Sequence, residues 1–386
     1  MTTYQRLGDY IREVNVRNRE LKVTNLLGLS IEKKFIPSIA NTIGTDMSVY
    51  KIVQPSQFAY VPVTSRNGDK ITVALYDGED AAIISQAYTI FEIIDHKALL
   101  PEYLMMWFRR PEFDRYARFH SHGSAREVFD WDELCDVLLP VPDIARQREI
   151  VAEYETLANR IRLNEQMIAK LEATAQALYR KMFVDGVDKE NLPEGWRRGT
   201  VGEMFNITIG RTPPRAEGQW FVSGPNMNDT MPWVSIADMN NGMFITSTRE
   251  RLTKGSVRIF RIPIVPANSV LLSFKMTVGR VTITKEDTLT NEAIAHFVCQ
   301  DNPDMLEYTY LFLKHVDFKK QGSTSSITEA INTNMIKQME MLQPPVSVLK
   351  QFHNQMDPIF KTIYLNQQEN LKLTELQSLL LARMGK

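Results

Sequence analysis

Apolar residues recur along two long stretches at spacings that alternate between four and three. In the first, Ile150, Tyr154, Leu157, Ile161, Asn164, Ile168, Leu171, Ala175, Leu178 and Met182 hold the register; in the second, Phe352, Met356, Ile359, Ile363, Asn366, Asn370, Leu373, Gln377, Leu380 and Met384 repeat it 202 residues later. A mean period of about 3.5 marks the a and d positions of a coiled coil. The copies also agree off the seam: Leu163-Asn164-Glu165-Gln166 stands 202 residues before Leu365-Asn366-Gln367-Gln368. Prolines precede both stretches, Pro140 and Pro142 in one case and Pro344 and Pro345 in the other, where a helix can begin but not continue through. Long amphipathic helices owe their stability to packing of the apolar face. The expectation is therefore that Ile150, Leu157, Ile161, Asn164, Ile168, Leu171 and Leu178 pack against Ile359, Ile363, Asn366, Leu373 and Leu380. Asn164 and Asn366 occupy equivalent seam positions, where a buried asparagine costs stability and fixes register.

The segments before the two helices resemble each other more weakly. Pro101-Glu102-Tyr103-Leu104 parallels Leu306-Glu307-Tyr308-Thr309, Leu7-Gly8-Asp9 parallels Val201-Gly202-Glu203, and Gly123-Ser124-Ala125-Arg126 parallels Gly322-Ser323-Thr324-Ser325. Within them, β-rich runs at 53–63, 70–75 and 82–94, and again at 233–237, 269–274, 280–284 and 294–299, alternate with turns. One helix per segment follows, at 99–109 and 305–315. The pattern predicts an α+β fold with twisted antiparallel sheets, two globular domains separated by two long antiparallel coiled-coil helices. The expected segments are residues 1–143, 144–184, 185–345 and 346–386.

Composition narrows the class. With 44% hydrophobic and 24% charged residues over 386 positions, the chain is an ordinary globular protein of two or three domains, not a disordered one. The most apolar run, Ala81 to Ile94, is interrupted by Ser85, Gln86, Thr89 and Glu92, too short and too polar for a membrane helix. The start, Met1-Thr2-Thr3-Tyr4-Gln5-Arg6, lacks the apolar core of a signal peptide, and two cysteines, Cys135 and Cys299, cannot make a disulfide framework. These point to a reduced, cytoplasmic protein with no membrane partner. The net charge of −1 excludes a uniformly basic surface but not a local one. Arg249 to Lys285 carries Arg249, Arg251, Lys254, Arg258, Arg261, Lys275, Arg280 and Lys285, with Glu250 the only acid before Lys285.

No catalytic constellation stands out. The chain lacks a GxxxxGK[ST] loop, a GxGxxG and the Asn/Asp-Pro-Pro-aromatic signature of amine methyltransferases. His120-Ser121-His122 is half a metal site without a completing cluster, and Asp317-Phe318-Lys319 is a nuclease-like fragment without a partner acid. No metal and no catalytic residue is expected. What the chain offers instead is turn chemistry suited to DNA. Thr64 to Lys70 carries Arg66, Asn67 and Lys70; Gly210 to Arg215 carries Arg211 and Arg215; Ser273 to Arg280 carries Lys275 and Arg280; Arg126 follows a glycine turn. Arginine reads guanine, asparagine reads adenine, and lysine holds phosphates. These eight are the candidate DNA-binding residues, although polar turns are also what solvent selects.

On these residues the chain resembles the specificity (S) subunit of a type I DNA restriction-modification enzyme. The resemblance rests on Leu192-Pro193-Glu194-Gly195-Trp196, Gly210-Arg211-Thr212-Pro213, Pro232-Trp233-Val234-Ser235, Ser273-Phe274-Lys275 with Gly279, and Asn291-Glu292-Ala293-Ile294. It rests also on Leu139-Pro140-Val141-Pro142 before Gln147-Arg148-Glu149-Ile150-Val151. The family's helix start is usually Pro-Pro-x-x-Glu-Gln-x-x-Ile, from which Ala145-Arg146-Gln147 departs. The resemblance implies two target recognition domains, each reading one half of a bipartite asymmetric site in double-stranded DNA. It implies no cofactor on this chain, two methyltransferase (M) subunits that carry S-adenosylmethionine, and restriction (R) subunits that use ATP and Mg. Three other readings fit the residues: a specificity subunit serving a fused methyltransferase-nuclease, a stand-alone DNA-modifying enzyme, and a coiled-coil scaffold that never touches DNA.

Overall fold

The computed structural model describes residues 4–38, 44–65, 68–123, 126–188, 190–223, 228–240, 242–318 and 331–385. The chain divides into two compact units, one formed by residues up to Arg160 together with those from Lys372 onward, the other by Ile161–Leu371. Neither coincides with a single expected segment, because each takes part of both long helices.

In the first unit, β1 (Tyr4–Arg6), β2 (Ile11–Val14), β3 (Leu27–Leu29), β4 (Phe35–Pro37), β5 (Lys51–Val53), β6 (Phe58–Tyr60), β7 (Val73–Leu75), β8 (Ala82–Ile84) and β9 (Thr89–Ile93) precede α1 (Pro101–Phe108), α2 (Pro111–Phe119), α3 (Trp131–Cys135), β10 (Leu138–Pro140) and α4 (Ile144–Phe183). The central sheet has the order β2-β9-β6-β7, antiparallel throughout, with Phe58 opposite Phe91. Those two rings stack at 4.9 Å, and Phe108 meets both edge-on, so α1 is sealed onto the sheet by aromatic contact. α1 is buried on every side except Glu102 and begins at a proline, the residue whose missing N–H costs nothing there. Two expected strands are each broken. The run 53–63 is interrupted at Ser56, which takes φ 67°, and 82–94 is interrupted by the turn that Tyr88 closes onto Ser85.

In the second unit, β11 (Arg197–Thr200), α5 (Val201–Met204), β12 (Thr208–Ile209), β13 (Phe221–Val222), β14 (Thr230–Val234), β15 (Glu250–Thr253), α6 (Lys254–Ile259), β16 (Ser269–Ser273), β17 (Val281–Ile283), β18 (Leu289–Thr290) and β19 (Ile294–Val298) lead to α7 (Leu306–His315), α8 (Thr333–Gln338), β20 (Glu340–Gln343) and α9 (Val346–Arg383). The sheet β12-β19-β16-β17 is again antiparallel throughout and repeats the topology of β2-β9-β6-β7. A second sheet, β13-β15-β14-β18, holds one parallel pair, β14 with β18, so this unit is not purely antiparallel. The repeat extends to the caps: Asp130 accepts from Glu133 N–H to start α3, and Asn332, 202 residues on, accepts from Met335 N–H to start α8. The stretch around 322–325 lies outside the described residues.

The ten seam positions of α4, the nine of α9 and Met384 just beyond it are each buried or half-buried. Within the second unit the helices pair antiparallel. Phe183 meets Phe352 edge-on at 4.9 Å, and Asn164 Nδ2 donates to Asn370 Oδ1 at 2.9 Å and to Glu369 Oε2 at 2.8 Å. Within the first unit, Ile150, Val151 and Tyr154 share a core with Leu381 and Met384. Gln147 is fully buried and ties the start of α4 to the start of α1. Its Oε1 accepts from Leu100 N–H, and its Nε2 donates to Ala98 and Pro142 carbonyls.

Candidate nucleic-acid interface

The equivalent sheets bring the expected loops to equivalent places. Residues 61–72 join β6 to β7, and residues 274–280 join β16 to β17. The first connection carries Lys70, and the second carries Lys275 and Arg280. Arg66 and Asn67 lie outside the described residues.

In the first unit the 61–72 connection is tied to the segment after α2. Thr64 N–H donates to Glu127 O at 3.0 Å, Thr64 Oγ1 donates to Ser121 Oγ at 3.0 Å, and Val63 bridges Val128. Arg118 donates to the Gly68 carbonyl, and Arg126, which precedes Glu127 in sequence, is exposed. Lys70 is engaged by Glu32 at 3.0 Å, an exposed pair that solvent and salt weaken. His120 and His122 both turn to Glu133, at 2.8 and 3.4 Å, which accounts for that motif. Sequence reasoning did not single out Phe119, which is 81% exposed at the end of α2 next to these groups.

In the second unit Glu292 gathers the basic loops. It accepts from Thr212 Oγ1, and this hydrogen bond, aided by the charges of Lys275 and Arg215, outweighs local desolvation and holds its exposed carboxyl below the usual carboxylate range. Phe274 N–H donates to Ala293 O at 3.0 Å, fastening the 274–280 turn to the Glu292 segment. Arg211 is exposed and makes one 3.2 Å bond to the Phe260 carbonyl, and Lys275 is exposed over the Phe274 ring. Two candidates are occupied by the fold itself. Arg215 is bidentate to Glu250 at 2.7 and 2.9 Å and lies over Phe221 and Trp233 at 4.1 and 4.9 Å. Arg280 is half-buried and donates to Ile236 O at 2.7 Å. Glu292 was legible only as part of a motif; its role needs the Thr212 contact, which sequence distance hides.

The basic run Arg249 to Lys285 is partly internal too. Arg249, Arg251 and Lys285 line a cavity of about 150 Å³ with Thr246, Ser247 and Thr248. Arg251 Nε donates to Thr230 Oγ1, and Lys285 Nζ donates to Asn268 Oδ1. Beneath the loops, His296 is buried between Thr208 Oγ1 at 2.9 Å and Thr290 Oγ1 at 2.6 Å, and burial pushes its imidazole down to about 4. Among the described residues no group of three or more His, Cys, Asp or Glu is placed to hold a metal, and no helix is long and apolar enough to cross a membrane.

Each unit thus carries the same four-stranded sheet order with a lysine-bearing loop at the same connection. Residues 193–375 match the model of the type I restriction modification DNA specificity domain. The HindI specificity subunit of Haemophilus influenzae is 23% identical, with 98% of this chain and 97% of that protein aligned. The MjaIX specificity subunit of Methanocaldococcus jannaschii is 21% identical over 76% of this chain and 70% of that protein. The solved S subunit of a type I restriction-modification system from M. genitalium has the same fold, with a TM-score of 0.61 at 11% identity, covering 100% of this chain and 96% of that one. Residues 193–375 thus carry the type I restriction modification DNA specificity domain, and the chain is similar over nearly its whole length to a specificity subunit of such a system. It is the DNA specificity component, distinct from the subunits that carry catalysis, and it assembles with DNA and other subunits of its system.

Proposed function

We propose that each globular unit reads one half of a bipartite, asymmetric site in double-stranded DNA, and that the paired helices fix the distance between the halves. The observation that carries this reading is the placement of Lys70 and Lys275 on the same connection of the same four-stranded sheet in the two units. Lys275 on that connection, Arg126 after α2 and Arg211 after β12, all exposed, meet the duplex directly. Some hold phosphates and set register, others meet base edges. Glu292 accepts from an exocyclic amine, the acceptor role a carboxylate plays toward cytosine N4. Arg215 and Arg280 act by shaping the loops. The loop sequences of the two units differ, so the half-sites differ and the site is asymmetric.

The partners are two methyltransferase subunits, which supply S-adenosylmethionine, and restriction subunits, which supply ATP and Mg; this chain binds none of these cofactors. The complex acts in the cytoplasm. Sequencing the methylome of cells that carry this chain with its partners tests the reading. Methylated adenines should fall in two short blocks with a fixed unread gap. Exchanging residues 197–343 for those of another specificity subunit should change one block alone. A single uninterrupted site, or a motif indifferent to the exchange, would sink it.

A further inference from the structure

Met276 is 94% exposed, more than any other large hydrophobic side chain among the described residues, and it sits on the tip of the connection between β16 and β17. Singly exposed apolar residues are ordinary. This one is not ordinary in its backbone. Its φ is +61°, a conformation that methionine rarely adopts and that glycine or asparagine would take with little strain. Thr277 N–H donates back to Lys275 O at 2.7 Å, closing a three-residue turn centred on Met276, and turns of this kind with positive φ are rare and strained.

The strain is held by a braced frame. Ser273 is fully buried; its Oγ donates to Thr277 O at 2.5 Å and accepts from Arg280 N–H at 3.0 Å. Ser273 and Arg280 also pair through the backbone, and Gly279 N–H donates to Ser273 O at 2.9 Å, with Gly279 at φ +90°. The Arg280 guanidinium pins the far side to Ile236 O, and Phe274 is anchored to Ala293. A fixed loop of this kind projects a thioether into solvent beside a lysine and the Glu292 cluster. Strain maintained by surrounding structure marks functional positions.

We infer that Met276 is an apolar wedge, inserted at a base-pair step of the half-site read by the second unit. Resting on the DNA-reading proposal above, this inference names the residue and its mode of contact. An unbranched, polarizable side chain enters a partly opened step, while the flanking Lys275 compensates the adjoining phosphate. Specificity then arises at that step from how easily its bases unstack, not from hydrogen bonds.

The test uses the assembled complex with its methyltransferase partners and duplexes in which 2-aminopurine is scanned through the methylome-defined half-site. Fluorescence should rise at one step in the wild-type complex. Met276→Ala should abolish the rise and weaken specific binding about tenfold while leaving the salt dependence unchanged, because no charge is lost. Met276→Leu should retain most of both. The thermal midpoint of Met276→Ala should match the wild type, since an exposed side chain is removed. Specific binding with no fluorescence rise at any position overturns the wedge and leaves the DNA-reading proposal standing. So does an unchanged rise and affinity in Met276→Ala. Failure of the wild-type complex to prefer any sequence overturns both.

Discussion

Tyr103 and Tyr308 make the same hydrogen bond in the two halves of the chain: Tyr103 Oη donates to Pro140 O at 3.0 Å, and Tyr308 Oη donates to Leu342 O at 2.7 Å. The acceptors stand 202 residues apart, each on the short strand that feeds a long helix. Each tyrosine thus ties a domain helix, α1 or α7, to the root of α4 or α9. Both rings are buried, so removing either hydroxyl strands a carbonyl away from water. Tyr103→Phe and Tyr308→Phe should each cost about 1–2 kcal/mol, read from denaturant midpoints at constant slope. A negligible loss in both would show that water replaces the hydroxyl.

Asn164 is the asparagine of the α4 seam, and its partners are Asn370 and Glu369 of α9. A double-mutant cycle with Asn164→Ala and Asn370→Ala should give a coupling of about 1 kcal/mol, because the residues share a partly buried bond. Additive losses would mean that the bond contributes nothing net.

His296 makes a pH-dependent contribution whose sign follows from burial. The imidazole titrates at about 4 in the folded chain against an ordinary 6.5, so between these values the folded state binds fewer protons than the unfolded one. The stability it supports is complete above pH 6.5 and declines toward pH 4 by up to about 3 kcal/mol. Unfolding of wild type and His296→Asn between pH 8 and 4.5 checks this. The wild type should lose more stability over that window; parallel curves would exclude His296 as the source.

The arginines and lysines of the second unit should separate by role. Lys275→Ala and Arg211→Ala should weaken binding to all DNA and each lower the salt slope by about one. Arg215→Ala should act on the fold, since its guanidinium is held by Glu250 and stacked on Phe221 and Trp233. A loss of about 1 kcal/mol in stability of the free protein, with a nearly unchanged salt slope, is expected. The reverse pattern would return Arg215 to the DNA.

The division between legible and illegible features follows sequence distance. The seam and the 202-residue offset are local periodicities, so the helices and the repeat could be read directly. α1 and α7 could be read because Tyr103 and Tyr308 lie in matching apolar runs. Partners across the seam could not. Aligning the repeats sets Asn164 beside Asn366, whereas antiparallel packing sets it against Asn370. The loops showed their charge in the sequence but not their occupancy: Glu250 lies 35 residues from Arg215, and Glu292 lies 80 from Thr212. Met276 was hidden because apolar pattern marks a residue for the core, and only the turn geometry places it in solvent.

The last prediction concerns the helices as a ruler. α4 has 40 residues, about 60 Å at 1.5 Å per residue. Inserting heptads after Arg160 in α4 and after Leu371 in α9, each a few residues from the Asn164–Asn370 pair, lengthens both helices together and preserves the 3.5-residue period of the seam. One heptad adds about 10 Å, or about 3 base pairs at 3.4 Å each. Its rotation is mismatched: the seam turns by about 20°, while about 3 base pairs of a 10.5-base-pair helix turn by about 100°. Three heptads add about 31 Å, or about 9 base pairs. The seam then turns by about 60° in the left-handed sense, and the DNA falls about 50° short of a full turn, which is the same direction. The three-heptad variant should therefore methylate efficiently at sites whose gap is longer by about 9 base pairs, with the bases of both blocks unchanged. The one-heptad variant should be the weaker of the two, although its insertion is shorter. Methylome sequencing of cells carrying each variant decides the matter. An active three-heptad variant with an unchanged gap would refute the ruler, and altered bases in either block would refute the separation of spacing from reading.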